Sequence, residues 1–270
     1  MSKPTRIVVH GASGRMGGAL LELLRNDARF ALVAALVPPG SPVDGKPVPA
    51  HEGLEYLSGW SAIRALDVII DFTSGTGALA ALDQALVRGV PLVSGSTGLN
   101  AAARERFAAA SRELAIVHAD NFSLGVAVLT RLLGEAAAAL PEWDLEIVEA
   151  HHAGKRDAPS GTALALGRAA SEARGMDFHS VAATDRVGQR RAGDIGFASL
   201  RGGDIAGEHT ALLCGAGERL ELSHRATDRR IFARGALAAA AWVAGCAPGL
   251  YGVGDVVAGT GTRDPGPGTG

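Results

Sequence analysis

The sequence predicts an α/β protein of two parts: a doubly wound parallel sheet, then an α+β domain with an open mixed sheet. Three observations carry this. Short apolar runs alternate with helical stretches up to residue 118. A glycine loop, Gly11 to Gly17, joins the first run to the first helix. Beyond residue 123 the pattern changes to long helices and strand-like runs separated by glycine turns. Strands alternating with helices mean parallel strands joined by right-handed crossovers, whereas consecutive strands mean hairpins.

Arg6–His10 reads as the first strand and Arg15–Arg25 as the first helix. Phe30–Val37 is the second strand. Pro38–Trp60, rich in Pro and Gly, breaks the alternation and reads as loop with a short irregular excursion. Asp67–Asp71 is a short apolar run of the buried parallel type. Ala78–Arg88 is helical, Val90–Val93 a strand, Ala101–Arg112 helical and Leu114–His118 a strand. In the second part Leu124–Leu140 and Gly161–Arg174 are helices and Trp143–His152 is a strand. Ile195–Leu200, Glu208–Leu213 and Arg219–His224 are three more strands, and Phe232–Ala244 is an Ala-rich helix. The Gly/Pro/Thr tail, 259–270, is expected to be disordered.

Composition supports a folded protein. Of 270 residues 47% are hydrophobic and 20% charged, enough to bury a core. A net charge of −2 argues against a nucleic-acid or polybasic membrane binder. No run of about 18 uncharged apolar residues predicts a membrane span. Met1–Arg6 lacks the form of a signal peptide, and Cys214 and Cys246 have no metal or redox spacing. The expectation is a cytoplasmic protein with two buried thiols.

Gly11-Ala12-Ser13-Gly14-Arg15-Met16-Gly17 follows the first strand and opens the first helix. Its spacing is a variant of the dinucleotide fingerprint. Gly11 allows a tight turn, Gly14 lets backbone N–H groups approach a pyrophosphate, and Gly17 lets helix and strand pack closely. The first domain is therefore read as Rossmann-like. The acid expected at the end of the second strand is missing, since Val37-Pro38-Pro39 stands there. Two more loops fall at carboxyl ends of strands, where open α/β sheets bind ligands: Phe72–Gly75 and Ser94–Gly98. His118–Ser123 ends the next strand. There Asn121 is a candidate for the nicotinamide amide or for locking the domain junction, and Ser123 for a helix cap.

The richest stretch runs from Glu149 to Ala163. A strand delivers His151 and His152, then Lys155, then Pro159-Ser160-Gly161-Thr162 at the entry to a helix. Helix N-termini attract anions, and Lys155, one of only three lysines, adds charge. The set suits an anionic, carboxylate-bearing substrate that is protonated during turnover. A zinc site lacks a spaced third ligand, and no metal is expected.

Gly11–Gly17, Asp71-Phe72-Thr73, Gly95–Gly98, Asn121-Phe122-Ser123, Glu149–Thr162 and Arg201–Thr210 occur in order. In these motifs, over about residues 6 to 257, the chain resembles the dihydrodipicolinate reductase family. The resemblance implies NADH- or NADPH-dependent reduction of a cyclic dicarboxylate, 4-hydroxy-tetrahydrodipicolinate, with loss of water. It implies that His151 donates the proton, with Lys155 as companion acid and carboxylate contact. Substrate contacts map to His152, Lys155, Ser160, Gly161 and Thr162. Cofactor contacts map to Gly11, Ala12, Ser13, Gly14, Arg15, Met16, Gly95, Ser96, Thr97, Ala119, Asp120, Asn121 and Phe122. It further implies a homotetramer built through the second-domain sheets and a last helix that returns to the first domain. The expected division is 1–122 for the dinucleotide, 123–232 for substrate and oligomerisation, and 233–258 for the returning helix.

Two departures stand out. Val37-Pro38 keeps neither the acid nor the Arg frequent there in the family, so use of both cofactors is expected. Asp120 stands where a small apolar residue or proline is usual. Glu208, His209, His224 and Arg229 read as inter-strand or interface packing. Asp185–Arg191 reads as a solvated mobile loop, and Trp143 and Trp242 as core or interface anchors. His10, His51, His118 and His179 have no support as catalytic groups. The alternatives are a reductase of another small dicarboxylate or imine, and a dinucleotide sensor without turnover.

Overall fold

The structure, a computed structural model, describes residues 3–185 and 187–260. The chain divides into two compact units. One takes in residues up to Leu124 and from Arg230 onward; the other is Gly125–Arg229.

The first unit opens with β1 (Thr5–His10), α1 (Arg15–Leu24), β2 (Phe30–Leu36), β3 (Tyr56–Leu57), β4 (Val68–Asp71), α2 (Gly75–Arg88), β5 (Leu92–Ser94), α3 (Ala101–Ala110) and β6 (Ala115–His118). The second unit holds α4 (Leu124–Ala139), β7 (Asp144–His151), α5 (Gly161–Ala173), α6 (Phe178–Val181), β8 (Ala182–Ala183), β9 (Ile195–Arg201), β10 (Gly207–Gly215) and β11 (Glu218–Ala226). The chain then completes the first unit with α7 (Arg230–Val243), β12 (Gly249–Tyr251) and α8 (Val253–Ala258).

The first sheet has seven parallel strands in the order β12-β6-β5-β4-β1-β2-β3. Ile7, Val8 and Val9 of β1 and Val68, Ile69 and Ile70 of β4 are fully buried, as central parallel strands require. Helix α7 packs on α1 and on β4, β5 and β6. Its buried residues are mostly small, Ala233, Gly235, Ala236, Ala239 and Ala240, with Leu237 and Val243. A Cβ on Gly235 would stand 1.7 Å from the Phe122 carbonyl oxygen, so helix and loop backbone touch there.

The second sheet has the order β11-β10-β7-β9-β8. β10 is antiparallel to both neighbours, and β9 is parallel to β7 and β8, so the sheet is mixed. One face packs on the helices through Leu133 of α4, Leu145 and Ile147 of β7, Leu166 of α5, and Ala211 and Leu213 of β10. By alternation the other face carries Val148, Ala150, Ala198, Leu200 and Leu212.

Three local findings differ from expectation. Within Asp185–Arg191, Asp185, Val187, Gly188, Gln189 and Arg191 are exposed as a solvated loop requires, but Arg190 is held: it pairs with Asp144 at 2.9 Å and with Glu146. Arg186 lies outside the described residues. Of the expected disordered tail, Gly259 and Thr260 are ordered: Gly259 caps α8 with a φ of 68°, and the Thr260 N–H donates to the Asp255 carbonyl. Residues 261–270 lie outside the described residues. The strand β12 and the helix α8 follow α7 where the sequence pattern predicts no further element.

Candidate active site

The first unit builds a cradle at the carboxyl ends of β1, β4 and β5. Gly11 has a φ of 86°, and a Cβ there would stand 2.5 Å from the Phe72 carbonyl oxygen. A Cβ on Gly17 would stand 2.2 Å from the Gly11 carbonyl oxygen. The turn therefore needs glycine at both places. The N–H groups of Gly11 and Ala12 both donate to the Leu36 carbonyl, tying the loop to β2. Gly14 caps α1 without a side-chain hydrogen bond, so the first-turn N–H groups of this ten-residue helix face outward uncapped. Ser13, Gly14 and Arg15 are exposed around them, Met16 is half-buried and Ala12 is buried. This donor set fits the pyrophosphate of a dinucleotide. The strand order reverses at β1, so the loops after β1 and β4 flank the switch point where such ligands bind.

Beneath these loops lies Asp71, fully buried. Its Oδ1 accepts from Thr73 Oγ1 at 2.6 Å and pairs with His10 Nδ1 at 3.0 Å. Its Oδ2 accepts from Ser94 Oγ at 2.9 Å and Ser96 Oγ at 2.8 Å. Ser96 Oγ also accepts the Thr73 N–H at 3.0 Å. The Ser96 hydroxyl is thus turned inward, leaving only backbone at this position for a cofactor. Gly95 leaves room for the Phe72 ring, which a Cβ would meet at 2.1 Å. Thr97 and Asp120 are exposed and Ala119 is half-buried. Asn121 accepts the Ser123 N–H at 2.8 Å, and Phe122 is 2% exposed against Phe72. Val37 is buried and Pro38 exposed, and neither brings a charge to the end of β2.

In the second unit the strand β7 ends in Glu149, Ala150 and His151. Glu149 and His151 share a face by alternation. His151 Nδ1 lies 2.5 Å from Glu149 Oε2. Arg201, opposite His151 on β9, donates to both Glu149 oxygens, at 2.8 Å and 2.7 Å. The Ser160 N–H donates to Glu149 Oε1 at 3.1 Å. Burial pushes the Glu149 carboxyl up, but hydrogen bonds from Arg201, His151 and Ser199 outweigh it and hold the group at about 2. Glu149 is therefore an anion at neutral pH, an acceptor beside the His151 ring.

Ser160 caps α5 by accepting the Ala163 N–H at 3.1 Å, and its hydroxyl is hydrogen-bonded to His209 Nε2 at 3.1 Å. It is 2% exposed. Its hydroxyl is committed to these partners, and the exposed Gly161 and half-buried Thr162 follow it on the helix N-terminus. The His209 ring sits edge-on to that of His151, 5.2 Å between centroids. Burial first, then the neighbouring charge of His151, pushes His209 down to about 4, so it stays neutral. Lys155 Nζ donates to Asp157 Oδ1 at 2.8 Å, and His152 is half-buried. Among the described residues, no group of three or more His, Cys, Asp or Glu is gathered to hold a metal ion.

The structure thus brings His151 and Ser160 together and adds Glu149 and Arg201, which have no assigned role, and His209, which reads from the sequence as packing. Glu149 and Arg201 stood inside quoted motifs, and their charge in strand-like runs was the available signal. His209 was set aside as packing. Its alternation with Ala211 and Leu213, on the face that packs against helices, was the signal for burial. His10 belongs to the Asp71 network, and His118 Nε2 meets the Ser96 carbonyl at 3.2 Å.

Two family descriptions match the chain: "Dihydrodipicolinate reductase, N-terminus" over residues 5–122 and "Dihydrodipicolinate reductase, C-terminus" over residues 125–257. The chain is 45% identical to the 4-hydroxy-tetrahydrodipicolinate reductase of Thiobacillus denitrificans, over 93% of this chain and 98% of that one. It is 47% identical to the enzyme of that name from Xanthomonas campestris, over 95% and 99%. Its fold matches the dipicolinate-bound dihydrodipicolinate reductase of Paenisporosarcina sp. TG-14 with a TM-score of 0.77, at 23% identity over 92% and 97% of the two chains.

Proposed function

The chain belongs to the dihydrodipicolinate reductase family, and from this premise we infer that it reduces 4-hydroxy-tetrahydrodipicolinate with NADH or NADPH in diaminopimelate and lysine biosynthesis. The observation that carries this reading is a match spanning both units at 45% identity, joined to a buried Glu149–His151 pair beside a helix N-terminus. The nicotinamide, when bound, supplies a hydride to the ring. The hydroxyl leaves as water with a hydrogen of the neighbouring ring carbon, and the ring takes one proton beside the hydride, so charge and atoms balance.

The chain's own residues hold and protonate. The uncapped N–H groups of α1, with Ser13, Gly14 and Arg15, hold the pyrophosphate. Ala12, Met16, Gly95, Thr97 and Ala119–Phe122 line the remainder, and Ser96 contributes through its backbone. His151 delivers the proton from Nε2, because Nδ1 is occupied by Glu149. Lys155 is the companion acid and carboxylate contact. His152, Gly161, Thr162 and the N–H groups opening α5 bind the substrate's carboxylates.

The working form is a homotetramer through the open face of the second sheet, where Leu200 is 59% exposed. The working compartment is the cytoplasm, which suits two free cysteines, Cys214 and Cys246. Among the described residues no helix is long and apolar enough to cross a membrane.

The test is oxidation of NADH and NADPH, side by side, with substrate formed in situ from pyruvate and aspartate semialdehyde. Substrate-dependent oxidation with both is the expected result. Binding of both cofactors without any oxidation would overturn the reading and favour the sensor alternative. Light scattering tests the tetramer, and a monomer would overturn it.

A further inference from the structure

The Glu149 carboxylate does no chemistry in the reading above, yet it costs a buried charge. It is 1% exposed, on a strand whose preceding inward residues, Leu145 and Ile147, are apolar. A buried carboxylate persists only when its lone pairs are met. Here the guanidinium of Arg201 meets both oxygens in the bidentate geometry that fixes direction as well as charge. Arg201 is itself braced by the carbonyls of Asp157 at 2.6 Å and Leu200 at 2.7 Å. The Ser160 N–H holds Oε1 from a third side. Two other elements, β9 through Arg201 and the entry to α5 through Ser160, thus hold the carboxylate, which also meets the imidazole of His151, 2.5 Å away.

We propose that Glu149, clamped by Arg201, is a positioning residue: it fixes the His151 ring with Nδ1–H toward the carboxylate and Nε2 toward the reacting ring of the substrate. The proposal rests on His151 being the proton donor. The chemistry is consistent, because delivery of a proton from Nε2 of an imidazolium leaves the Nδ1–H tautomer. That tautomer is the one a carboxylate accepts from. The far side of the ring is kept clear by Gly207. A Cβ there would stand 3.0 Å from Nε2, and the residue's φ of 155° further favours glycine. Arg201 begins the turn that leads to Gly207, so the clamp and the clearance come from one connection, between β9 and β10.

The first experiment needs no variant. Long-range ¹⁵N–¹H NMR of the histidine-labelled wild-type protein reads the tautomer of neutral His151, assigned by its loss in His151→Gln. The Nδ1–H form is expected, and the Nε2–H form would overturn the proposal. The second is kinetic. Glu149→Gln keeps the shape but removes the anion, and kcat is expected to fall at least about tenfold with KM changed less than about twofold. Arg201→Lys keeps charge without the fork and is expected to lose kcat in the same direction by less. Wild-type kcat in Glu149→Gln, with His151→Gln inactive, would overturn the positioning role while leaving the proton donor in place. An active His151→Gln would instead overturn the reading beneath it. If Glu149→Gln does not fold, the wild-type tautomer still decides.

Discussion

Asp71 Oδ2 accepts the Ser96 hydroxyl at 2.8 Å, joining the end of β4 to the loop after β5 beneath the dinucleotide cradle. The carboxylate meets four side-chain partners from three strands or their following loops. Asp71→Asn places an amide NH₂ against donors. It is expected to destabilise the protein by about 2–4 kcal/mol. Urea unfolding checks this, and cofactor titration is expected to show weaker binding, because Thr73 and Ser96 lose their anchor.

His151→Gln removes the proton donor without touching the first unit's loops. Turnover is expected to fall by roughly 10²–10⁴-fold, with cofactor affinity unchanged. Steady-state rates beside a fluorescence titration of NADH separate the two quantities.

Acid stability follows from His209. Its folded value, about 4, lies below the ordinary 6.5, so the unfolded chain takes up this proton first. The contribution is full above 6.5 and is lost as the pH falls toward 4. At most about 3 kcal/mol is at stake. Glu149 works in a lower window: its contribution is present above 4.5 and is lost toward about 2. Unfolding midpoints at pH 7, 5.5 and 4 should fall in that order, and His209→Asn should flatten the slope.

Gly235→Ala puts a methyl group 1.7 Å from the carbonyl oxygen of Phe122, a backbone atom with no freedom to yield. Separation of α7 from its loop is expected, with a loss of about 3 kcal/mol or more. Thermal unfolding of the purified variant measures it.

At the end of β2 neither Val37, buried, nor Pro38, exposed, carries a charge to repel or grip a 2′-phosphate. The kcat/KM values for NADH and NADPH are expected within about tenfold of each other. Pro38→Arg should move the ratio toward NADPH by about tenfold.

The parallel sheet was legible because β1, β2, β4 and β6 are apolar runs spaced by helices, and because a glycine loop marked the switch point. The strand β12 was not. Three residues, Gly249–Tyr251, carry no periodicity, and the strand exists by pairing with β6. At the site, residue types were legible and directions were not. Ser96 maps to a cofactor contact by resemblance, yet Asp71 draws its hydroxyl inward. Arg190 read as solvated until Asp144 and Glu146 reached it from β7. Arg201 and Glu149 meet across 52 positions of sequence, a distance over which spacing carries no signal.

The first unit is interrupted in sequence by the second, and this orders events during synthesis. Residues 125–229 leave the ribosome as one stretch and have every strand of their own sheet. The first unit must wait for α7, β12 and α8. Until then β6 is an open edge and the Phe122 carbonyl lies uncovered, so the nascent chain carries an unpaired strand beside a finished neighbour. A chain stopped before Arg230 should therefore yield a folded second unit attached to an incomplete, aggregation-prone first one.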